Sequence, residues 1–191
     1  MFDLGSKKLI LASKSPRRQE LLKGLCIDFE IKTKDIDESY PHHLIEAEVP
    51  TYIAEKKAAA FKSELAPDEI IITSDTVVCL EGRILEKPTD LDDAKRMVAE
   101  LSGKKHTVYS AVCLLSTEKL VSFCDATIVK FKTLTANEIE FYVNQFKPLD
   151  KAGGYGVQEW IGYIGIERME GSYYTVMGMP MHLLYEELKR F

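Results

Sequence analysis

The apolar positions change period several times along the chain, and each change marks an element. Residues 8–12 form a short apolar run that reads as a strand, followed directly by SKSPRR at 13–18. There Ser15 reads as an N-cap, Pro16 as the first helical residue and Gly24 as the stop signal. Residues 29–33 read as a second strand and 35–43 as a polar loop, after which Pro50 is expected to open a long helix to Leu65, broken by Pro67. Residues 69–73, with three consecutive isoleucines, form a buried-strand candidate that runs into Ser74, Asp75 and Thr76. A hairpin turn at Glu81–Gly82–Arg83 joins residues 77–80 to 84–85.

Asp90 caps the next helix, with Asp92 and Asp93 suiting its dipole, and Gly103 ends it. Residues 107–115 and 120–131 read as two long strands, and Thr135 with Glu138 forms a capping box for a helix to Phe146. The Gly-rich stretch 151–156 interrupts regular structure before an aromatic-rich region and a final helix over 181–189. Strands alternating with helices predict an α/β fold. No repeat or long linker divides the sequence, so residues 1–191 are read as one domain.

Composition narrows the function classes. The 191 residues are 46% hydrophobic, enough for a proper core. With 25 basic and 30 acidic residues, the formal net charge is −5, which argues against non-specific nucleic-acid or anionic-membrane binding. Any polyanion has to meet a local basic pocket. No apolar run approaches the roughly 20 residues of a membrane-spanning helix. The start of the sequence lacks a signal-peptide apolar region, and Cys26, Cys79, Cys113 and Cys124 form no CxxC pair. Buried structural thiols in a reducing cytoplasm are expected.

Several residues carry potential chemistry. Helix-end amides, serine hydroxyls, Arg17 and Arg18 at SKSPRR suit phosphate oxygens, although both arginines equally suit solvent or carboxylate partners. Asp75, read as lying just past an apolar strand, is costly to bury unless it pairs, caps or binds metal. Capping a turn is the structural alternative. Thr76 offers a hydroxyl. Glu38, in the DIDES loop, suits a hard divalent cation together with Asp75, or simply solvent. Lys57 and Lys87 add cations that read, one at a time, as surface lysines. Gln158 follows the glycines of DKAGGYGV; its amide both donates and accepts, as reading a base edge requires, and it equally suits a turn. No GxxxxGK[ST] or GxGxxG occurs, and the four histidines lack metal-like spacing.

In this order, LILASKSPRR, DIDES, AEKKA, ITSDTVV, LEKP, LSGKKHTVYSAV, DKAGGYGVQ and EGSYYTVMGMP resemble the Maf family of nucleotide pyrophosphatases over essentially the whole chain. The resemblance implies an elongated, mixed-sheet α/β fold similar to inosine triphosphate pyrophosphatases, with two lobes around a deep cleft, usually as a homodimer. It also implies cleavage of nucleoside triphosphates to monophosphate and pyrophosphate with a divalent metal, Mg²⁺ or Mn²⁺.

Within that family, SPRR, SDTV and GxQ look like the branch acting on dTTP and UTP. By resemblance, Asp75 is the proton acceptor, and Arg17, Thr76 and Gln158 match positions linked to substrate choice. Ser13, Arg18, Glu38, Lys57 and Lys87 match the polar cleft. Glu159 departs from the pattern where glycine often follows the glutamine, and Met179 where leucine is usual. The alternative is a nucleotide-binding regulatory protein of cell division or septum formation, without significant hydrolysis.

Overall fold

The computed structural model describes residues 4–191. A seven-stranded mixed sheet runs in the order β2-β1-β3-β5-β6-β7, with β4 paired to β3. Its strands are β1 (Lys8–Leu11), β2 (Phe29–Ile31), β3 (Glu69–Leu80), β4 (Arg83–Leu85), β5 (Lys105–Leu115), β6 (Leu120–Phe131) and β7 (Ile166–Glu170). β1 pairs in parallel with β2 and β3, whereas the β3–β4 and β6–β7 pairs are antiparallel. The helices are α1 (Pro16–Lys23), α2 (Glu48–Ala59), α3 (Leu91–Leu101), α4 (Ala136–Phe146), α5 (Trp160–Gly165), α6 (Tyr173–Met177) and α7 (Met181–Leu188). None of the described helices is long and apolar enough to cross a membrane.

Local chemistry explains most of these boundaries. Asp90 accepts the N–H of Asp93 to start α3, and α4 carries the reciprocal Thr135/Glu138 capping box. Ser15 precedes α1 without a side-chain cap; instead its own N–H donates to Ser13 Oγ at 3.2 Å. Several expected boundaries move. α2 ends at Ala59 rather than running on to Leu65, because the chain beyond it closes into tighter turns, with Phe61, Lys62 and Glu64 N–H donating to the carbonyls three residues back. α2 begins at Glu48, so Pro50 is its third residue, where a missing N–H removes no intrahelical bond. β3 does not end at Thr73 but continues through Ser74, Asp75 and Thr76 to Leu80. Those three polar residues stay in the strand because each side chain finds a partner there.

The backbone falls into two compact units, the first comprising residues 4–76, 110–125 and 178–191, the second 77–109 and 126–177. In the first, Ile10, Ala54, Ala58, Phe61, Ile71 and Cys113 pack α2 against sheet residues. In the second, Leu80, Leu101, Phe131, Tyr142 and Tyr155 lie at the centre of the core. Met179 is fully buried, as a leucine-like residue should be. All four cysteines are free thiols; Cys79 and Cys113 are buried and Cys124 is partly so. Cys26 corrects the expectation of buried thiols, since it is exposed with a left-handed φ of 55° just after α1. Burial pushes the Cys113 thiol up to about 12.

His106 sits in the second core between the rings of Phe131 and Tyr155, edge-on to both. Its Nε2 shares a 2.7 Å hydrogen bond with Tyr155 Oη, while Nδ1 meets no partner among the described residues. Burial pushes its pKa down to about 4 from the usual 6.5, so the folded chain holds it neutral. Between these two values the unfolded chain binds the extra proton, and stability therefore falls as pH drops through that window. At pH 5 the loss from this one group is about 2 kcal/mol, or roughly 4–8 °C in Tm for a chain of this size. His106→Gln, which retains a hydrogen-bonding end for Tyr155, is expected to flatten the fall in Tm between pH 7 and pH 5. Equal slopes in thermal melts of the two proteins would contradict this.

Candidate active site

The alternation of side chains along β3 sorts its polar residues onto two faces. Thr73 and Asp75 point towards α2. Thr73 Oγ1 donates to the Ala54 carbonyl at 2.6 Å, and one helical turn further on Lys57 Nζ donates to Asp75 Oδ1 at 2.8 Å. Two strand residues span about 6.6 Å and three helix residues about 4.5 Å, so the long lysine stem makes up the difference. Asp75 is 8% exposed, and its carboxylate has the cationic partner that burial requires.

Lys57 Nζ also lies 2.7 Å from Glu38 Oε1. One ammonium therefore holds two carboxylates that come from a strand and a loop. The neighbouring lysine secures that loop: Lys56 Nζ donates to Asp37 Oδ2 at 3.1 Å and to the Ser39 carbonyl at 2.9 Å. The Ser39 hydroxyl and N–H both donate to the Asp37 carboxylate, which together with Lys56 pulls Asp37 down to about 2. The AEKKA segment thus directs adjacent lysines to two jobs, since consecutive helix residues point about 100° apart.

On the other face of β3, Ser74 and Thr76 meet Gly178 and Arg18. Arg18 donates from Nη1 to the Ser74 carbonyl at 2.8 Å, from Nε to the Gly178 carbonyl at 3.0 Å and from Nη2 to Thr76 Oγ1 at 3.1 Å. Ser74 Oγ donates to the same Gly178 carbonyl at 3.0 Å, and Thr76 Oγ1 shares a 2.8 Å hydrogen bond with Ser110 Oγ. A glycine is needed here: φ is 113°, and a Cβ would come within 3.3 Å of Thr76 Oγ1. Burial pushes the Arg18 pKa down, opposed chiefly by the nearby Asp75 charge.

Of the residues singled out from sequence, the first unit carries Ser13, Arg17, Arg18, Glu38, Lys57, Asp75 and Thr76. Glu38, Lys57 and Asp75 form one cluster, and Arg18 with Thr76 a second on the opposite strand face. Ser13 is buried at the entry to α1, its carbonyl accepting from Gln19 Nε2 at 3.3 Å, while Arg17 is half-buried on the helix. Asp75 is inside β3 rather than past its end, and Arg18 spends three of its five donors on protein atoms. Lys87 and Gln158 belong to the second unit. Lys87 is exposed before buried Pro88, and Gln158 is half-buried in the turn closed by Glu159 N–H donating to the Gly156 carbonyl at 3.0 Å. Ser74, Ser110 and Gly178 were not singled out from sequence, although each lies inside a recognised motif.

The seven-stranded mixed sheet with its helices defines an α/β protein whose fold is of the kind seen in the Staphylococcus aureus Ham1 protein. The two share a fold, with a TM-score of 0.54 at 14% identity, over 95% of this chain and 100% of that one. The chain itself belongs to the Maf-like protein family, whose model matches residues 8–191. Relatives in Bacteroides thetaiotaomicron and Phocaeicola vulgatus, each named a dTTP/UTP pyrophosphatase, are 49% and 50% identical to it over 189 residues, covering 98% of this chain and 98% of each relative.

Proposed function

We propose that this chain is a nucleoside triphosphate pyrophosphatase that hydrolyses the α–β phosphoanhydride of dTTP and UTP, releasing the monophosphate and pyrophosphate in a house-cleaning role. The observation that carries the reading is the Glu38–Lys57–Asp75 cluster, with Lys57 Nζ at 2.7 and 2.8 Å from the two acids. It occurs in a chain about half identical to proteins named for that activity. The same names weigh against a purely regulatory, non-hydrolysing role.

In this reading Asp75 accepts the proton of the attacking water, and Lys57 fixes the orientation of its carboxylate. Arg17, Lys57 and Lys87 supply positive charge for the phosphate oxygens and the leaving pyrophosphate. Gln158 meets the base and Ser13 the polar part of the nucleotide. Arg18 acts through others, holding the Thr76 hydroxyl and the backbone at Ser74.

A divalent cation, Mg²⁺ or Mn²⁺, is proposed as cofactor. The residues fit it: Glu38 and Asp75 are two hard carboxylates already converging on one positive centre, and such ions commonly take one or two carboxylates with phosphate oxygens and water. Among the described residues no cluster of three or more His, Cys, Asp or Glu competes as a metal site. When bound, the cation neutralises charge on the phosphate oxygens. A single domain over residues 1–191 and a cytoplasmic setting, both read from the sequence, and a homodimer, implied by the family resemblance, complete the proposal.

The test is a substrate panel of dTTP, UTP, CTP and GTP with Mg²⁺ or Mn²⁺, measuring pyrophosphate and monophosphate. Release from dTTP and UTP at least about tenfold faster than from CTP and GTP is expected of a site that hydrogen-bonds its base. A preference for GTP would contradict the branch assignment. Binding without turnover would favour the regulatory role.

A further inference from the structure

We infer that Glu159 is a positioning residue that clamps the 151–159 loop shut and thereby fixes how Gln158 presents its amide, which makes Glu159 a determinant of base preference. The inference rests on the reading of Gln158 as the residue that meets the base.

Glu159 closes this loop end to end. Its Oε1 lies 3.0 Å from Nζ of Lys151 at the start of the loop, and its Oε2 accepts a hydrogen bond from Tyr142 Oη. Tyr142, fully buried on α4, in turn accepts the Gly156 N–H at 3.0 Å. Gly156 O accepts the Glu159 N–H, so the four-residue turn containing Gln158 is tied through its first and last residues to one carboxylate–phenol pair. Little slack remains. Lys151 keeps only 11% of its side chain exposed, and a Cβ added at Gly156 would lie 2.8 Å from the Glu159 carboxyl carbon. The absence of a side chain at Gly156 therefore leaves the space that the Glu159 carboxylate occupies.

The chemistry of the base explains why a clamp matters. Uracil and thymine present an N3–H donor beside O4, whereas cytosine presents an N3 acceptor beside an N4 amino group. A glutamine amide matches either pattern by turning over, because it donates at one end and accepts at the other. Gln158 alone thus separates these bases poorly. The Lys151–Glu159–Tyr142 bonds hold the turn that carries Gln158, which fixes the backbone from which its amide reaches a base and so favours one pairing over the other.

The test compares wild type with Glu159→Ala, Glu159→Gln and Lys151→Met, reading kcat and KM for UTP and CTP together with hydrogen exchange at the backbone amides of residues 156 and 159. For Glu159→Ala, the UTP-over-CTP ratio of kcat/KM is expected to fall about tenfold, through KM, with kcat for UTP within about twofold of wild type. Exchange at both amides should quicken. Glu159→Gln, whose amide oxygen still accepts from Tyr142, should fall between the two, and Lys151→Met should follow it. Faster exchange with unchanged base preference would overturn the inference, leaving a structural clamp only. Unchanged exchange would overturn it too. Should wild type hydrolyse no pyrimidine triphosphate, the proposed function fails; exchange and equilibrium binding of UTP against CTP then still decide the role of Glu159.

Discussion

Asp75→Asn is expected to reduce kcat/KM for UTP and dTTP by at least about a hundredfold while leaving the protein folded. Asparagine has nearly the same shape as aspartate but carries no charge and accepts no proton, so both parts assigned to this carboxylate disappear. Removing one preorganised charged contact from a reacting centre commonly costs about 3 kcal/mol, which corresponds to that factor. The fold is spared because Lys57 keeps Glu38 as a partner, and the neighbouring Thr73 bond to Ala54 does not depend on the charge. Steady-state kinetics alongside a thermal melt will check this. Turnover within a few-fold of wild type would remove Asp75 from the centre of the chemistry, and a collapsed melt would make it a structural residue.

The second large effect concerns Arg18. Arg18→Met keeps a long apolar stem but deletes the donors that reach the Ser74 and Gly178 carbonyls and Thr76 Oγ1. Hydrogen bonds from a charged group contribute about 1.5–3 kcal/mol each but are not additive when they share one head group, so a total near 3 kcal/mol is expected. Tm should then drop by about 6–12 °C without any nucleotide present. Arg18→Lys, with a point charge in place of the planar fork, should recover only part of it. If Arg18 served solely to grip phosphate, Arg18→Met would lose activity with an unchanged melt, and that outcome would contradict its positioning role.

These two residues also mark what was legible in the sequence. Capped helices were readable from local rules: Asp90 before α3 and Thr135 with Glu138 before α4 each satisfy orphan amides within four residues. Residues 160–177 were not. They fold as a six-residue helix, a five-residue strand and a five-residue helix, each too short to display a clear hydrophobic period. The long reach of β3 was missed because Ser74, Asp75 and Thr76 look like a strand end. What keeps them in the strand is tertiary, namely Gly178, Lys57 and Arg18.

The site shows the same division. Glu38, Lys57 and Asp75 were each identifiable by residue type and motif, but their meeting at one ammonium depends on packing across 18 residues of sequence between Lys57 and Asp75. The Arg18 brace spans 160 residues to Gly178. Spacing carries no signal for such pairs, and motif membership alone did not separate an arginine that binds ligand from one that braces a strand. Glu159 stood out only as a departure from the pattern; its hold on Lys151 and Tyr142 came from the structure.

The central claim is that an Asp75-centred cluster cleaves between the α and β phosphorus atoms, and identifying the products of UTP turnover by ³¹P NMR tests it most directly. UMP and pyrophosphate in equal amounts from the wild type, with neither product formed at a comparable rate by Asp75→Asn, is the predicted result. UDP and orthophosphate, or undiminished UMP and pyrophosphate from Asp75→Asn, would contradict it.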